Sequence, residues 1–423
     1  MNFCSNKYRI LTPLWLSCAI LLLACGPAIA AGHAQFDISQ YGALADGKTV
    51  NTKAIQTAID RCAAAGGGTL VIPKGEFISG SLFLKPGVNV ELREGAVLKC
   101  STNPQDFELR KGIRFEGHFE EWTTDLLNAE HTDHLRITGP GMLNGNGSAY
   151  WRNNSPFGRP CLCAIRDSRD VIVSGVHFLS SPSWNLHLYN CQDVVVENDR
   201  FEILDKEKGP STDGTDVDSS QNVTIRGCFY SVNDDCVCIK GNRYDGLNQT
   251  PASMPSSYVR IIDCTFRRGM GALSLGTEAT KIRDIEMEHC TVMGNMPMFR
   301  LKMRPDTAGQ DYQYIRVRDI KLDGRGKILS FELTHGTKTA PKPPRAKIKY
   351  IEISDITGTF GSFGTIANNP NTDISYISLK NINVKVLGNP QLNTNGVTRL
   401  RLKNVVVKGS VPALTGAGEM IKP

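Results

Sequence analysis

Four aspartates, Asp213, Asp216, Asp234 and Asp235, fall within residues 211–241, which read STDGTDVDSSQNVTIRGCFYSVNDDCVCIKG. Carboxylates gathered this closely on a rigid scaffold can divide the work of acid and base in hydrolysing a glycosidic bond. Aspartate is also a turn residue, so Thr212-Asp213-Gly214 alone signals no more than a bend. The repeat in which the four are embedded changes that balance.

An apolar trio spaced x, x+2, x+5 recurs along the chain. It reads Val171, Val173, Val176, then Val223, Ile225, Cys228, then Val259, Ile261, Cys264 and Ile285, Met287, Cys290. It continues through Ile315, Val317, Ile320 and Ile351, Ile353, Ile356 to Ile377, Leu379, Ile382 and Leu400, Leu402, Val405. Val194 and Val196 belong to the series, but Asp199 takes the third place there. Alternation over the first positions predicts a short strand with one face buried, and the change of phase before the third predicts a corner. Such a unit cannot bury its apolar face alone and must stack on its neighbours. The expected fold is all-β: a single-stranded parallel β-helix, right-handed by the general preference of parallel crossovers.

Residues 51–65 carry a helical pattern closed by glycines, followed by a strand over residues 69–73. A helix there would cap the open end of the solenoid. Residues 31–423 therefore form one domain. Residues 1–30 read as an export signal, with Lys7 and Arg9, an apolar run from Leu14 to Leu23 too short to span a bilayer, and Ala28-Ile29-Ala30 as the cleavage site. Cys25 offers lipid attachment as the alternative. The protein is expected outside the cytoplasm, periplasmic or extracellular.

The formal charge of +6 suits an anionic substrate without requiring one, and no basic run points to nucleic acid. Cys228, Cys264 and Cys290 hold the buried third place of the trio and read as interior packing. Cys161/Cys163 and Cys236/Cys238 have a one-residue spacer, unlike structural zinc sites. No metal or cofactor is expected, and the chain is expected to act as a monomer.

With the opening GALADGKTVNTKAIQTAID and AGGGTLVIP, Arg159-Pro160, the segment SSPSWNLHLYNC and the aspartate-rich stretch, the chain resembles the polygalacturonase family of glycoside hydrolases, family 28, over nearly its whole length beyond residue 30. The resemblance implies inverting hydrolysis of galacturonosyl bonds in pectin. It makes Asp234 the proton donor, with Asp213 and Asp235 activating water. Arg300 and Lys302, in Arg300-Leu301-Lys302, would bind a galacturonate carboxylate. Spacing agrees independently: Asp213 and Asp235 are 22 residues apart, about one coil, and would sit roughly 4.8 Å apart across neighbouring strands. Strand alternation puts Arg300 and Lys302 on one face. Asp216 and Asp218 are expected to bond turn amides or orient neighbours.

One position departs from the family. Its Gly-His-Gly becomes Gly269-Met270-Gly271, and Met270 follows Cys264 by six residues as Asp234 follows Cys228. Met270 should therefore stand beside the acid, at the substrate. The missing imidazole is compatible with a site that has lost activity, with an acid that works without its usual neighbour, or with altered substrate choice, such as galacturonosyl bonds in rhamnogalacturonan or another branched pectin; the last is the expectation. The long loop at residues 241–257 predicts exo action by closing one end of the groove. Trp122, Trp151 and Trp184 could stack on sugars or anchor loops. A calcium-dependent β-eliminating lyase and a non-catalytic carbohydrate-binding β-helix remain alternatives.

Overall fold

The computed structural model describes residues 34–152, 158–242, 254–304, 307, 309–333, 346–366, 372–408 and 414–415. The expected export signal, Cys25 and residues 243–253 of the expected groove-closing loop lie outside the described residues.

The chain coils into a right-handed parallel β-helix. Every trio meets its successor in register: Val171 with Val194, Val194 with Val223, and so through Val259, Ile285, Ile315, Ile351 and Ile377 to Leu400. The column also runs backwards from Val173 through Ile137, Val90 and Leu70 to Phe36, coils that the trio pattern did not reveal. Stacked interior rings measure the rise directly. Phe178, Phe201, Tyr230 and Phe266 follow one another with centroids 4.7, 4.9 and 5.2 Å apart, the spacing of hydrogen-bonded strands.

Asp199 has an explanation in this stack. Its carboxyl is buried between Val176 and Cys228, where Oδ1 accepts the Val176 N–H at 2.7 Å. Burial raises its pKa well above the carboxylate range, so the neutral acid is the form that packs. Cys228, Cys264 and Cys290 are buried in line with it, and the ten cysteines described are all free.

Helix α1 (Thr52–Ala64) turns Ile55, Ala58, Ile59 and Cys62 onto the end of the stack, a one-sided apolar stripe at helical spacing. Asn51 stays outside the helix because its side chain bonds to Leu44 and Thr49. Gly66 and Gly67 turn the chain away with φ of 91° and 107°.

Two features position the site. One is an antiparallel hairpin, β1 (Leu109–Phe115) and β2 (His118–Thr123), inserted between coils. The other is a twelve-stranded parallel sheet along one side of the solenoid. It includes β3 (Cys163–Arg166), β4 (Leu186–Tyr189), β5 (Thr215–Asp218), β6 (Asp235–Lys240), β7 (Gly271–Leu275), β8 (Phe299–Lys302) and β9 (Lys327–Glu332).

Candidate active site

Alternation on these strands sends Val217, Val237, Leu273 and Leu301 into the core, leaving the residues between them on the outer face. Register then lines up two rows. One runs Ala164, His187, Asp216, Cys238, Ser274, Arg300, Ser330; the other contains Arg166, Tyr189, Asp218 and Lys240, with Lys302 beside Glu332 farther along. Chemistry-bearing side chains from seven successive strands thus share one floor.

At its centre Gly214 donates its N–H to the Asp235 carbonyl at 2.9 Å, which sets Asp213 beside the Asp234-Asp235 pair. One oxygen from each of Asp213, Asp234 and Asp235 lies within 4.8 Å of the others. Asp235 is enclosed: Lys302 Nζ stands 2.6 Å from Oδ2, Ser274 Oγ donates to Oδ1 at 2.7 Å, and Arg300 reaches Oδ1 at 3.4 Å. Burial works against the Asp235 charge, but Lys302 and Arg300 outweigh it and bring its pKa down to about 2. Asp234 moves the other way, raised by burial and then by the Asp235 charge beside it. Asp213 is raised well above its ordinary value by burial and by Asp216 and Asp234.

The backbone of Met270 occupies the place its spacing predicts: its N–H donates to the Asp234 carbonyl at 2.9 Å, and Asp235 pairs with Gly271. The residue is 46% exposed. A side chain on Gly271 would collide with Ser274 Oγ, so glycine there lets β7 pass beneath the carboxylates.

Arg300 and Lys302 share the outer face, yet both have internal partners. Arg300 forms a two-pronged pair with Glu332, at 2.9 and 3.1 Å. A substrate carboxylate would meet Glu332 at this guanidinium, a competitor that sequence reasoning missed.

Of the two roles expected for Asp216 and Asp218, bonding turn amides or orienting neighbours, Asp218 takes the second. Asp218 is a buried anchor, held by Arg114 through Nε at 2.9 Å and Nη2 at 3.1 Å, with His187 Nε2 3.4 Å away. Asp216 faces Lys240 Nζ at 3.4 Å, and neither of its oxygens has a hydrogen-bond partner; its pKa rises to about 7, through burial against the pull of Lys240. Trp184 takes the loop-anchoring role of the two expected for it. Phe115 of the hairpin is sandwiched between Trp184 at 4.4 Å and Trp122 at 4.6 Å, and Lys240 stands 4.6 Å from the Trp184 ring centre.

Lys240, Glu278 and Arg114 were also missed. A signal for Lys240 existed: the 22-residue offset that pairs Asp213 with Asp235 also pairs Asp218 with Lys240. Arg114 carried none, because the hairpin crosses from over a hundred residues away in sequence.

Comparison with known proteins places the chain in a family. The model of glycosyl hydrolases family 28 matches residues 62–407. An exopolygalacturonase of Zea mays is 27% identical over 89% of this chain and 88% of its own length. A probable polygalacturonase of Vitis vinifera is 27% identical over 62% of this chain, which spans 55% of that relative. The solved hyperthermoactive exopolygalacturonase from Thermotoga maritima superposes with a TM-score of 0.77 at 22% identity, covering 89% of this chain and 92% of that one. Its likeness carries the fold. With the family model spanning most of the solenoid and the aspartate cluster at its centre, the chain belongs to glycosyl hydrolases family 28.

Proposed function

We propose that this glycosidase cleaves galacturonosyl bonds of a pectic polysaccharide from a chain end, by single displacement with inversion. The observation that supports it most is the opposite treatment of two adjacent carboxyls. Asp235 is held ionised by Lys302 at 2.6 Å, while burial and its neighbour keep Asp234 toward the neutral acid. Such a divergence separates acid from base roles.

In this reading Asp234 gives its proton to the bridging oxygen as the bond from that oxygen to the anomeric carbon breaks. Water held by Asp213 and Asp235 attacks the opposite face, its oxygen bonding the carbon and its proton passing to the carboxylate pair. Exchange with solvent restores Asp234. Inversion rests on the family resemblance, since oxygens within 4.8 Å also suit the closer carboxyl spacing of retaining enzymes, about 5 Å.

Relatives named for polygalacturonase and exopolygalacturonase activity support galacturonan as the substrate. End-on action is supported by the hairpin. Arg114, 1% exposed, ties β1 to Asp218, to the Gly241 carbonyl at 2.6 Å and to Asn242, covering the floor on one side of the aspartates. Met270 and the Glu332 partner of Arg300 support a choice beyond plain polygalacturonate, toward rhamnogalacturonan or another branched pectin. Residues 1–30 are proposed to direct export, with Ala30 as the last residue removed. Among the described residues no helix is long and apolar enough to cross a membrane.

Digesting polygalacturonate and rhamnogalacturonan oligomers with the purified protein tests the reading. Short sugars released from one end, with an inverted anomer first in proton NMR and no unsaturated product in ultraviolet absorbance, are expected. Early random fragments would defeat end-on action, and a chelator-sensitive unsaturated product would place the chemistry with lyases.

A further inference from the structure

Lys240 has no part in the steps above, yet it is buried at their centre. Its ammonium stands 3.4 Å from Asp216 Oδ1, 3.6 Å from Asp213 Oδ2 and 3.7 Å from Glu278 Oε2. Burial opposes its charge, but the neighbouring carboxylates outweigh burial and hold its pKa well above the lysine value. It is therefore a fixed cation. Other charged or titratable groups around it are Asp218 across the strand pair with its partner Arg114, His187 paired with Asp216, Asp234 and Asp235 on its own segment, Arg304 behind Glu278 at 3.6 Å, and Lys302 with Arg300 on β8.

The mechanism needs one proton in a particular place. Burial and crowding drive both Asp213 and Asp234 toward the neutral acid, Asp213 the further of the two despite the pull of Lys240, but a water-activating Asp213 must ionise while Asp234 keeps its proton. Lys302 cannot make that choice, because it is committed to Asp235 at 2.6 Å. Lys240 can: it forms an ion pair with Asp213 and acts on Asp234 only at longer range. We propose that Lys240 is the positioning residue that assigns the proton, holding Asp213 as the carboxylate that orients water and leaving the acid proton on Asp234. Asp216 and Glu278 share the ammonium and set how strongly it pulls on Asp213. This inference rests on the acid/base reading above and names a further residue for it.

The test has a readout that does not depend on turnover. The infrared carbonyl band of protonated Asp213, assigned by its loss in D213N, is followed against pH in wild type, K240M, K240R and D216N. In K240M the band should persist to a pH about one unit or more higher, since each unit reflects the lost attraction of a nearby cation. K240R should stay near wild type, and D216N should shift the band to lower pH by removing a neighbouring negative charge. Where the enzyme turns over, the acidic limb of kcat/KM should move with the band, and K240M should lower kcat more than it raises KM. An unmoved Asp213 band in K240M, with only a lower Tm, would reduce Lys240 to packing and overturn the proposal. Should K240M fail to fold, D216N decides: a band that stays or moves upward overturns it equally. Failure of wild type on every pectic polymer would instead count against the hydrolase reading, while the titration still judges Lys240.

Discussion

Asp218 and Asp216 lie two residues apart on β5, both fully buried and both facing outward from the core. Their surroundings could hardly differ more. Asp218 receives the fork of Arg114, the His187 ring and the Ser219 hydroxyl, and despite its burial its pKa is pushed far below the carboxylate range. Asp216 has only the shared ammonium of Lys240 at 3.4 Å, and its pKa climbs to about 7. A buried carboxylate with a bidentate guanidinium is an anchor, because its lone pairs are met in the right geometry. One left with a distant, divided cation remains chemically poised. On the hairpin side Asp218 is held the first way, and Asp216 beside it the second, so a single strand carries both an anchor for the wall and part of the proposed reaction centre.

The largest blow to this contrast should come from R114M. Leaving Asp218 buried without its cation should cost about 3–5 kcal/mol, seen as a lower denaturant midpoint. The products should also lengthen as the hairpin loosens, and a stable R114M with unchanged products would refute the anchoring role. D234N addresses the other side: activity should fall on the order of 10²-fold or more with the circular dichroism spectrum intact. Retained turnover would take the acid role from Asp234.

D216N sharpens the comparison through pH. Asp216 titrates near 7 in the fold against an ordinary 3.8, so the fold favours its protonated form. That contribution to stability is present at low pH and is lost as pH rises from about 4 through about 7. D216N should flatten this stretch of the stability curve. Asp218, with its lowered pKa, acts in reverse: its stabilisation is present above about 4 and is lost as the solution becomes strongly acidic. A D216N curve parallel to wild type between pH 4 and 7 would show that Asp216 is not held as described. The smallest effect belongs to M270H, expected to shift preference toward polygalacturonate over rhamnogalacturonan by several-fold, as one contact of about 1 kcal/mol allows. Equal preference in both forms would remove the reason to connect Met270 with substrate choice.

The solenoid was readable from the chain because a coil is a local object. Val171, Val194, Val223 and their successors recur once per coil at 23 to 36 residues, and backbone pairing between coils converts that recurrence into register. The same arithmetic brought Asp213 beside Asp235 and Met270 beside Asp234. Earlier coils escaped it because the hairpin and long connections between Val90 and Ile137 disturb the period.

What the amino-acid order determined by itself was therefore the stack, its apolar column and the meeting of three aspartates on neighbouring rungs. What only the tertiary structure decided was which of those carboxyls meets a cation, and how well. Arg114 arrives at Asp218 from a distant hairpin, Glu332 claims Arg300 from the next coil, and Lys240 divides itself among Asp213, Asp216 and Glu278. Strand periodicity places a Cα to within a rung. Charge and proton affinity instead depend on side-chain contacts of a few ångströms in a dry interior, where Coulomb energy changes steeply with distance and burial.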